Sequence, residues 1–344
     1  MKALVKAEKK EKALEIREEK NPKINEDEVL VKVVNVAVCG TDLHVYEYTP
    51  GYEFIKTPLI IGHEFSGFVE EVGSKVKGFK PGDRVMGESN RYCRKCENCK
   101  KGLTDICLDS QMTGLHLNGA MAEFIAVPEY SLHYLPEGLS FEEGAIAQPV
   151  SVSLNAVFDH SNITPGDKVI VYGPGIQGLI AAQAAYIKGA TKVGVVGTNL
   201  DEETRLPIAR EMGFSTFNTS MGSVAKQIEK EWGVCEVDVV LDASGAIPAV
   251  EEGLTLLKRG GHFTAFGIYS RPLPLDLTKL VRAEITFHTS YTSAWKHYAQ
   301  ALQLLASGRI DVKPLISNYT FENSLQAFED GVSKIAIKPV IHFE

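Results

Sequence analysis

The chain has 344 residues, of which 44% are hydrophobic and 23% charged, with a formal net charge of −8. It is long enough for two domains with separate cores and has the composition of an ordinary water-soluble globular protein. The acidic balance gives no support for phosphate-backbone binding, and the basic run Arg91–Lys101 is interleaved with cysteines, so it reads as a metal loop rather than a nucleic-acid patch.

No membrane span is expected: the longest apolar candidate, Val169–Ile187, is interrupted by Gly173, Pro174, Gly175, Gln177 and Gly178. Met1–Val5 runs into the charged segment Lys6–Lys12 without a leader pattern. Four of the six cysteines cluster at metal spacing instead of spreading as a disulfide framework would. A reducing, cytoplasmic setting is the expectation.

The first third reads as all-β with loops. Val29–Val38 is a continuous apolar strand that ends at Cys39-Gly40-Thr41-Asp42-Leu43-His44. Gly62-His63-Glu64 follows after a loop and leads into a second strand, Phe65–Val72. A thiolate, an imidazole and a carboxylate are ligand types that zinc takes in catalytic sites, where one position stays open. Thr41 and His44 lie two and five residues beyond Cys39, a spacing suited to passing a proton to solvent, and Asp42 is a candidate acceptor for the far ring nitrogen of His63. Pro81-Gly82 supplies a turn before another strand, and the short punctuated strands suggest a closed or sandwich-like domain. Cys93, Cys96, Cys99 and Cys107 then fall within one loop, where four thiolates enclose a tetrahedral ion with no open position.

From about Pro165 strands alternate with helices. Asp167–Tyr172 reads as a strand, Gly173-Pro174-Gly175-Ile176-Gln177-Gly178 as a glycine turn and Leu179–Lys188 as a helix, with a second strand at Lys192–Gly197. In that setting the glycines let backbone approach a pyrophosphate at the positive end of the helix. Further units follow: helix Asp201–Met212, strand Val237–Leu241, helix Ala249–Lys258 and strand His262–Phe266. Ser244, Gly267 and Ile268 lie at strand carboxyl ends, where doubly wound sheets bind ligands. A helix Ala294–Ser307 and strands Ile316–Thr320 and Ile335–Phe343 read as returning to the first domain. A nicotinamide-type fold beside a Cys/His/Glu zinc site implies metal-assisted hydride transfer from an alcohol.

In their order along the chain, Cys39–His44, Gly62–Glu64, the four-cysteine loop and Gly173–Gly178 resemble the zinc-containing medium-chain dehydrogenases over essentially the whole length. The resemblance implies a GroES-like catalytic domain made from residues 1–150 and 287–344, with a structural zinc loop at 88–108. A Rossmann domain, residues 151–286, would lie between them. It implies two zinc ions per chain. One is held by Cys39, His63, Glu64 and Gln148, the other by the four loop cysteines. It also implies cofactor contacts from Gly173, Gly175, Ile176, Gln177, Gly178, Asn199, Arg205, Ser244, Gly267 and Ile268. Within the family the chain is similar to the threonine dehydrogenase and sorbitol (polyol) dehydrogenase branch, whose members are commonly NAD-dependent cytoplasmic tetramers. His44-Val45-Tyr46 and Gly87-Glu88 lean toward threonine dehydrogenase.

Two departures matter. The residue before Pro149, usually a glutamate that approaches the catalytic zinc in this branch, is Gln148, as in some archaeal glucose dehydrogenases. The strand-end position that usually carries an acid is Asn199, with Arg205 expected to reach the adenosine and Asp201 and Glu202 expected to repel a 2′-phosphate, which favours NAD over NADP. The expected substrate is a secondary alcohol: a polyol, sugar or hydroxy amino acid such as L-threonine. The alternatives are an aldose dehydrogenase, which Gln148 favours, and a non-catalytic binding protein on the same fold, which the intact ligand and relay residues oppose. Homo-oligomers, tetramers or dimers, are expected.

Overall fold

The computed structural model describes residues 1–343. They divide into two compact units, one joining Met1–Pro149 to the stretch from Ala294 onward and the other comprising Val150–Ser293. No helix among the described residues is long and apolar enough to cross a membrane.

The first unit is built around the strand Glu28–Ala37, which pairs antiparallel with Glu64–Val72, Phe124–Pro128 and Lys338–His342. Val29, Val31 and Val33 point into the core, and an irregularity between Val33 and Asn35 shifts the alternation so that Val36 and Ala37 are buried as well. This register decides where the chemistry sits. Ala37 pairs with Glu64 on one side and with Val340 on the other. Cys39, two residues further on, is thereby carried beside His63 and Glu64, and the last strand runs alongside.

The expectation of an all-β first third needs one correction. Gly40–Glu47 is a helix that starts directly after Cys39. The Cys39 N–H donates to Asp42 Oδ2 at 2.9 Å, and this acid in the first turn also suits the positive helix end. A second helix missing from the sequence reading, Phe141–Leu154, carries Gln148 and contains Pro149.

The second unit holds a six-stranded, all-parallel sheet. Across it the strands run Ser215–Asn218, Lys192–Gly197, Lys168–Tyr172, Val237–Asp242, Leu257–Ala265 and Thr286–Thr289, the doubly wound order. The strand Thr286–Thr289 corrects the expected return of the chain at residue 287. Thr286 pairs with His262 and Thr289 with Ala265, so the second unit's own sheet holds this stretch. The order reverses between Lys168–Tyr172 and Val237–Asp242, and the crevice outside their carboxyl ends is where such sheets take a ligand.

Gly67 tests the first unit's frame. A Cβ built there would stand 2.1 Å from the Lys32 carbonyl oxygen in the neighbouring strand. Gly67→Ala is expected to cost about 2–3 kcal/mol and to lower the thermal midpoint by several degrees, read by calorimetry.

Candidate metal and cofactor sites

Ligand atoms of Cys39, His63 and Glu64 lie within 4.8 Å of one another. His63 and Glu64 are buried, as are Asp42 and Lys338 beside them. Asp42 Oδ1 stands 3.7 Å from His63 Nδ1, the arrangement expected of an acid that orients a ligand ring from behind. Glu64 Oε2 forms an ion pair with Lys338 Nζ, which also donates to the Val38 carbonyl at 2.9 Å. Glu64 Oε1 is buried with no hydrogen-bond partner among the described residues.

Electrostatics favour a cation at this point. Burial by itself would lower the pKa of His63, but Asp42, Cys39 and Glu64 together raise it to about 9. Burial pushes the Asp42 carboxyl upward, opposed by His63. A pocket of soft thiolate, imidazole and an orphaned carboxylate oxygen, with a field that draws positive charge, fits a zinc ion.

Thr41 is half-buried, whereas His44 is exposed and stacks on Tyr52 with ring centroids 5.5 Å apart. The helix thus places Thr41 close after the ligand Cys39 and sets His44 at the solvent edge. Gln148 is buried, and its amide Nε2 donates to Ser89 Oγ at 3.3 Å.

Cys93, Cys96, Cys99 and Cys107 also converge within 4.8 Å, with two of the S···S separations at 4.0 Å. Tetrahedral bonds of about 2.3 Å to one zinc require about 3.8 Å between sulfurs. Backbone N–H groups turn toward the sulfurs, Cys96 N to Cys93 Sγ at 3.3 Å and Cys99 N to Cys96 Sγ at 3.4 Å. The N–H groups of Cys99 and Leu108 lower the Cys96 thiol to about 6. All four thiols are engaged with each other, so this loop fits a closed, structural ion.

In the second unit the helix Ile176–Ile187 begins at Gly175, which provides no side-chain cap. The first N–H groups, Ile176 among them, therefore remain for an anion. Gly173 has φ +94°, and a Cβ on it would meet Ser244 N at 2.9 Å across the crevice. A Cβ on Gly178 would lie 1.9 Å from the Gly173 carbonyl, whereas at Gly175 it would meet nothing within 4 Å. Two glycines close the turn and the third leaves an open face. Gln177 is tied to Ser153, whose hydroxyl donates to its Oε1 at 2.6 Å. Ser244 and Ile268 are exposed at the crevice, and Gly267 N donates to the Asp242 carbonyl at 3.0 Å.

The surroundings of Asn199 alter the expected electrostatics. Asp201 is buried and accepts from the Thr198 hydroxyl at 2.9 Å, while Glu202 binds Arg210 and accepts from Asn218 at 3.1 Å. Neither is a free charge facing a phosphate, as the sequence reading had it. Arg205 turns toward Asp201 at 3.7 Å. Asn199 Oδ1 accepts from Asn218 Nδ2 at 3.0 Å. Asn218 and Lys338 are the functional candidates that the sequence reading missed, because strand pairing and not local spacing brings each to its partner.

Residues 25–137 match the family described as alcohol dehydrogenase GroES-like domain, and residues 177–307 the family described as zinc-binding dehydrogenase. The chain is 33% identical to D-arabitol-phosphate dehydrogenase of Enterococcus avium, over 93% of this chain and 91% of that one. It is 32% identical to sorbitol dehydrogenase of Halalkalibacterium halodurans, over 99% of both. An alcohol dehydrogenase from Escherichia coli CFT073 complexed with NADH superimposes with a TM-score of 0.91 at 26% identity, covering 100% of this chain and 99% of that one. A Sinorhizobium meliloti protein described as a zinc-binding dehydrogenase and bound to NADP gives 0.89 at 28% identity, covering 99% of each chain.

Cys93→Ser should remove one equivalent of zinc by elemental analysis and lower the thermal midpoint. The folded fraction should keep the other equivalent, because a closed thiolate site takes no part in the chemistry.

Proposed function

The chain belongs to the zinc-binding dehydrogenases of the alcohol dehydrogenase superfamily, in the sorbitol-like branch, and we propose that it oxidises a polyol at a secondary alcohol with NAD as acceptor. It is an NAD(P)-dependent, zinc-dependent oxidoreductase acting on alcohols. The observation that carries the reading is the cluster of half-buried Cys39 with buried His63 and Glu64, with the unpartnered Glu64 Oε1.

Cys39, His63 and Glu64 would hold the catalytic zinc, with Gln148 as a neutral neighbour, and Cys93, Cys96, Cys99 and Cys107 the structural one. Gly173, Gly175, Ile176, Gln177 and Gly178 would cradle the pyrophosphate of the cofactor. Asn199 would meet the adenosine ribose, and Ser244, Gly267 and Ile268 would face the nicotinamide half. The chemistry those groups supply when bound is Lewis-acid activation of an alcohol oxygen and acceptance of a hydride. Asp42 stands behind the His63 ring, Lys338 holds one Glu64 oxygen, and Thr41 and His44 would take the alcohol proton outward, His44 from its exposed ring.

Preference for NAD is supported by charge. Arg210 is paired with Glu202 and Arg205 faces Asp201 at 3.7 Å, so both guanidinium groups near Asn199 lie against acids rather than toward a 2′-phosphate. A polyol substrate is supported by the relatives, which are named for sugar alcohols or their phosphates. An aldose is the second reading, favoured by neutral Gln148. A cytoplasmic homo-oligomer is part of the same proposal.

The test is a kinetic panel of polyols, polyol phosphates, aldoses and L-threonine with NAD and NADP. The highest kcat/KM should fall on a polyol or its phosphate with NAD, whereas a best substrate among the aldoses would move the reading to its alternative. Asn199→Asp keeps the acceptor for Asn218 and adds a charge at the ribose. It should raise the NAD/NADP ratio of kcat/KM by roughly 1–3 kcal/mol. An unchanged ratio would remove position 199 from the ribose.

A further inference from the structure

Asp242 ends the strand Val237–Asp242 in the middle of the second unit's sheet and is 0% exposed. The reaction gives this carboxylate no part, yet donors from two loops converge on it. Oδ1 accepts from Ser244 N at 3.0 Å and from the Ser244 hydroxyl at 2.6 Å. Oδ2 accepts from Tyr269 Oη at 2.5 Å. The Asp242 backbone carbonyl accepts from Phe266 N and Gly267 N, both at 3.0 Å.

One residue is thus bonded to both strand-end loops, 243–246 and 266–269. The loops touch backbone to backbone. Gly245 has φ +66°, and a Cβ on it would stand 2.3 Å from the Ile268 carbonyl oxygen. A Cβ on Gly267 would stand 2.3 Å from Gly245 N.

The two carboxylate oxygens do different things. Oδ1 turns back on its own loop, two residues along the chain, as an Asx turn does. Oδ2 reaches Tyr269, 27 residues away, in the side chain's one bond to the second loop among the described residues. Burial pushes the Asp242 carboxyl upward, and hydrogen bonds from Ser244, Tyr269 and Gly245 pull it back. Burial and the Asp242 charge raise the Tyr269 phenol, so it keeps its proton and donates. The Tyr269 ring packs against the core of the sheet, which gives that bond a firm base. Ile268, 69% exposed, therefore lies between two anchors on one residue: Gly267 N on the Asp242 carbonyl and Tyr269 Oη on its carboxylate.

We infer that Asp242 and Tyr269 are positioning residues whose carboxylate–phenol bond holds loop 266–269 in the form that receives the nicotinamide half of the cofactor. The inference rests on the proposed placement of Gly267 and Ile268 at that half. Without the second anchor the loop spends part of its time in forms that do not receive the ring. Apparent affinity then falls by the fraction of time lost.

The experiment compares two ligands on the full-length protein. NADH binding is followed by its fluorescence. ADP-ribose, which has the adenosine and the pyrophosphate but no nicotinamide, is measured by calorimetry. Tyr269→Phe keeps the ring in the core and removes the hydroxyl. It should weaken NADH about tenfold and leave ADP-ribose within about twofold. Asp242→Asn should also weaken NADH, and the double variant should fall no further than the more affected single variant.

Equal losses for both ligands in Tyr269→Phe would overturn the positioning role, as would additive losses in the double variant. A lower thermal midpoint with both affinities kept would also overturn it, leaving the bond to the fold alone. Ile268→Ala tests the placement beneath the inference and should weaken NADH while sparing ADP-ribose. If it does so and Tyr269→Phe does not, the positioning role falls and the placement stands. If Ile268→Ala leaves both affinities untouched, loop 266–269 does not meet the nicotinamide and both readings end. Should Asp242→Asn fail to fold, Tyr269→Phe with Ile268→Ala decides the same question.

Discussion

Asp42, His63, Glu64 and Lys338 are each 2% exposed or less and face one another in the first unit. Ionised groups out of water are unfavourable unless each finds an opposite charge. Lys338 answers one carboxylate. Asp42 and Glu64 set two carboxylates against that one lysine, and Cys39, His63 and Glu64 bring donor atoms within 4.8 Å of one another. A cation bound among them would complete a charge balance that the backbone has already laid out, and would stabilise the strands that present these groups. The register Ala37 with Glu64 and Val340 is what makes the encounter possible.

The two units solve opposite electrostatic problems with different materials. The first collects side-chain anions around a point that needs a cation. The second offers backbone N–H groups and a helix end to a ligand that brings its own negative charge, and uses glycine to keep side chains out of the way. Cysteine, histidine and glutamate can be exchanged only with loss of ligand chemistry. The turn is constrained by space, since at Gly178 even one methyl collides with a carbonyl.

Chemistry that is local in sequence was legible. The four-cysteine loop and the glycine turn could be read directly, because each is a short segment whose residue types and spacing state the geometry. Cys39, His63 and Glu64 were readable as ligand types, and the alternation of strands and helices gave the parallel sheet. The helix Gly40–Glu47 was not, since it is eight residues long and lacks an apolar stripe. Lys338 and Asn218 escaped for another reason: their partners are set by strand register, which one sequence does not display. Asp201 and Glu202 show the same limit. Their charge was visible, but the partners that occupy it were not.

The strand Lys338–His342 also ties the site to the order in which the chain is made. It is made long after Cys39 and Glu64, yet it completes the sheet beside them and supplies the only lysine paired with Glu64 among the described residues. Val150–Ser293 has all six of its strands in one continuous run and meets no such delay. A nascent chain can therefore finish its second unit while the cluster around Glu64 still lacks a wall. A chain cut short before Lys338 leaves Glu64 without its lysine and the strand Glu28–Ala37 with an open edge.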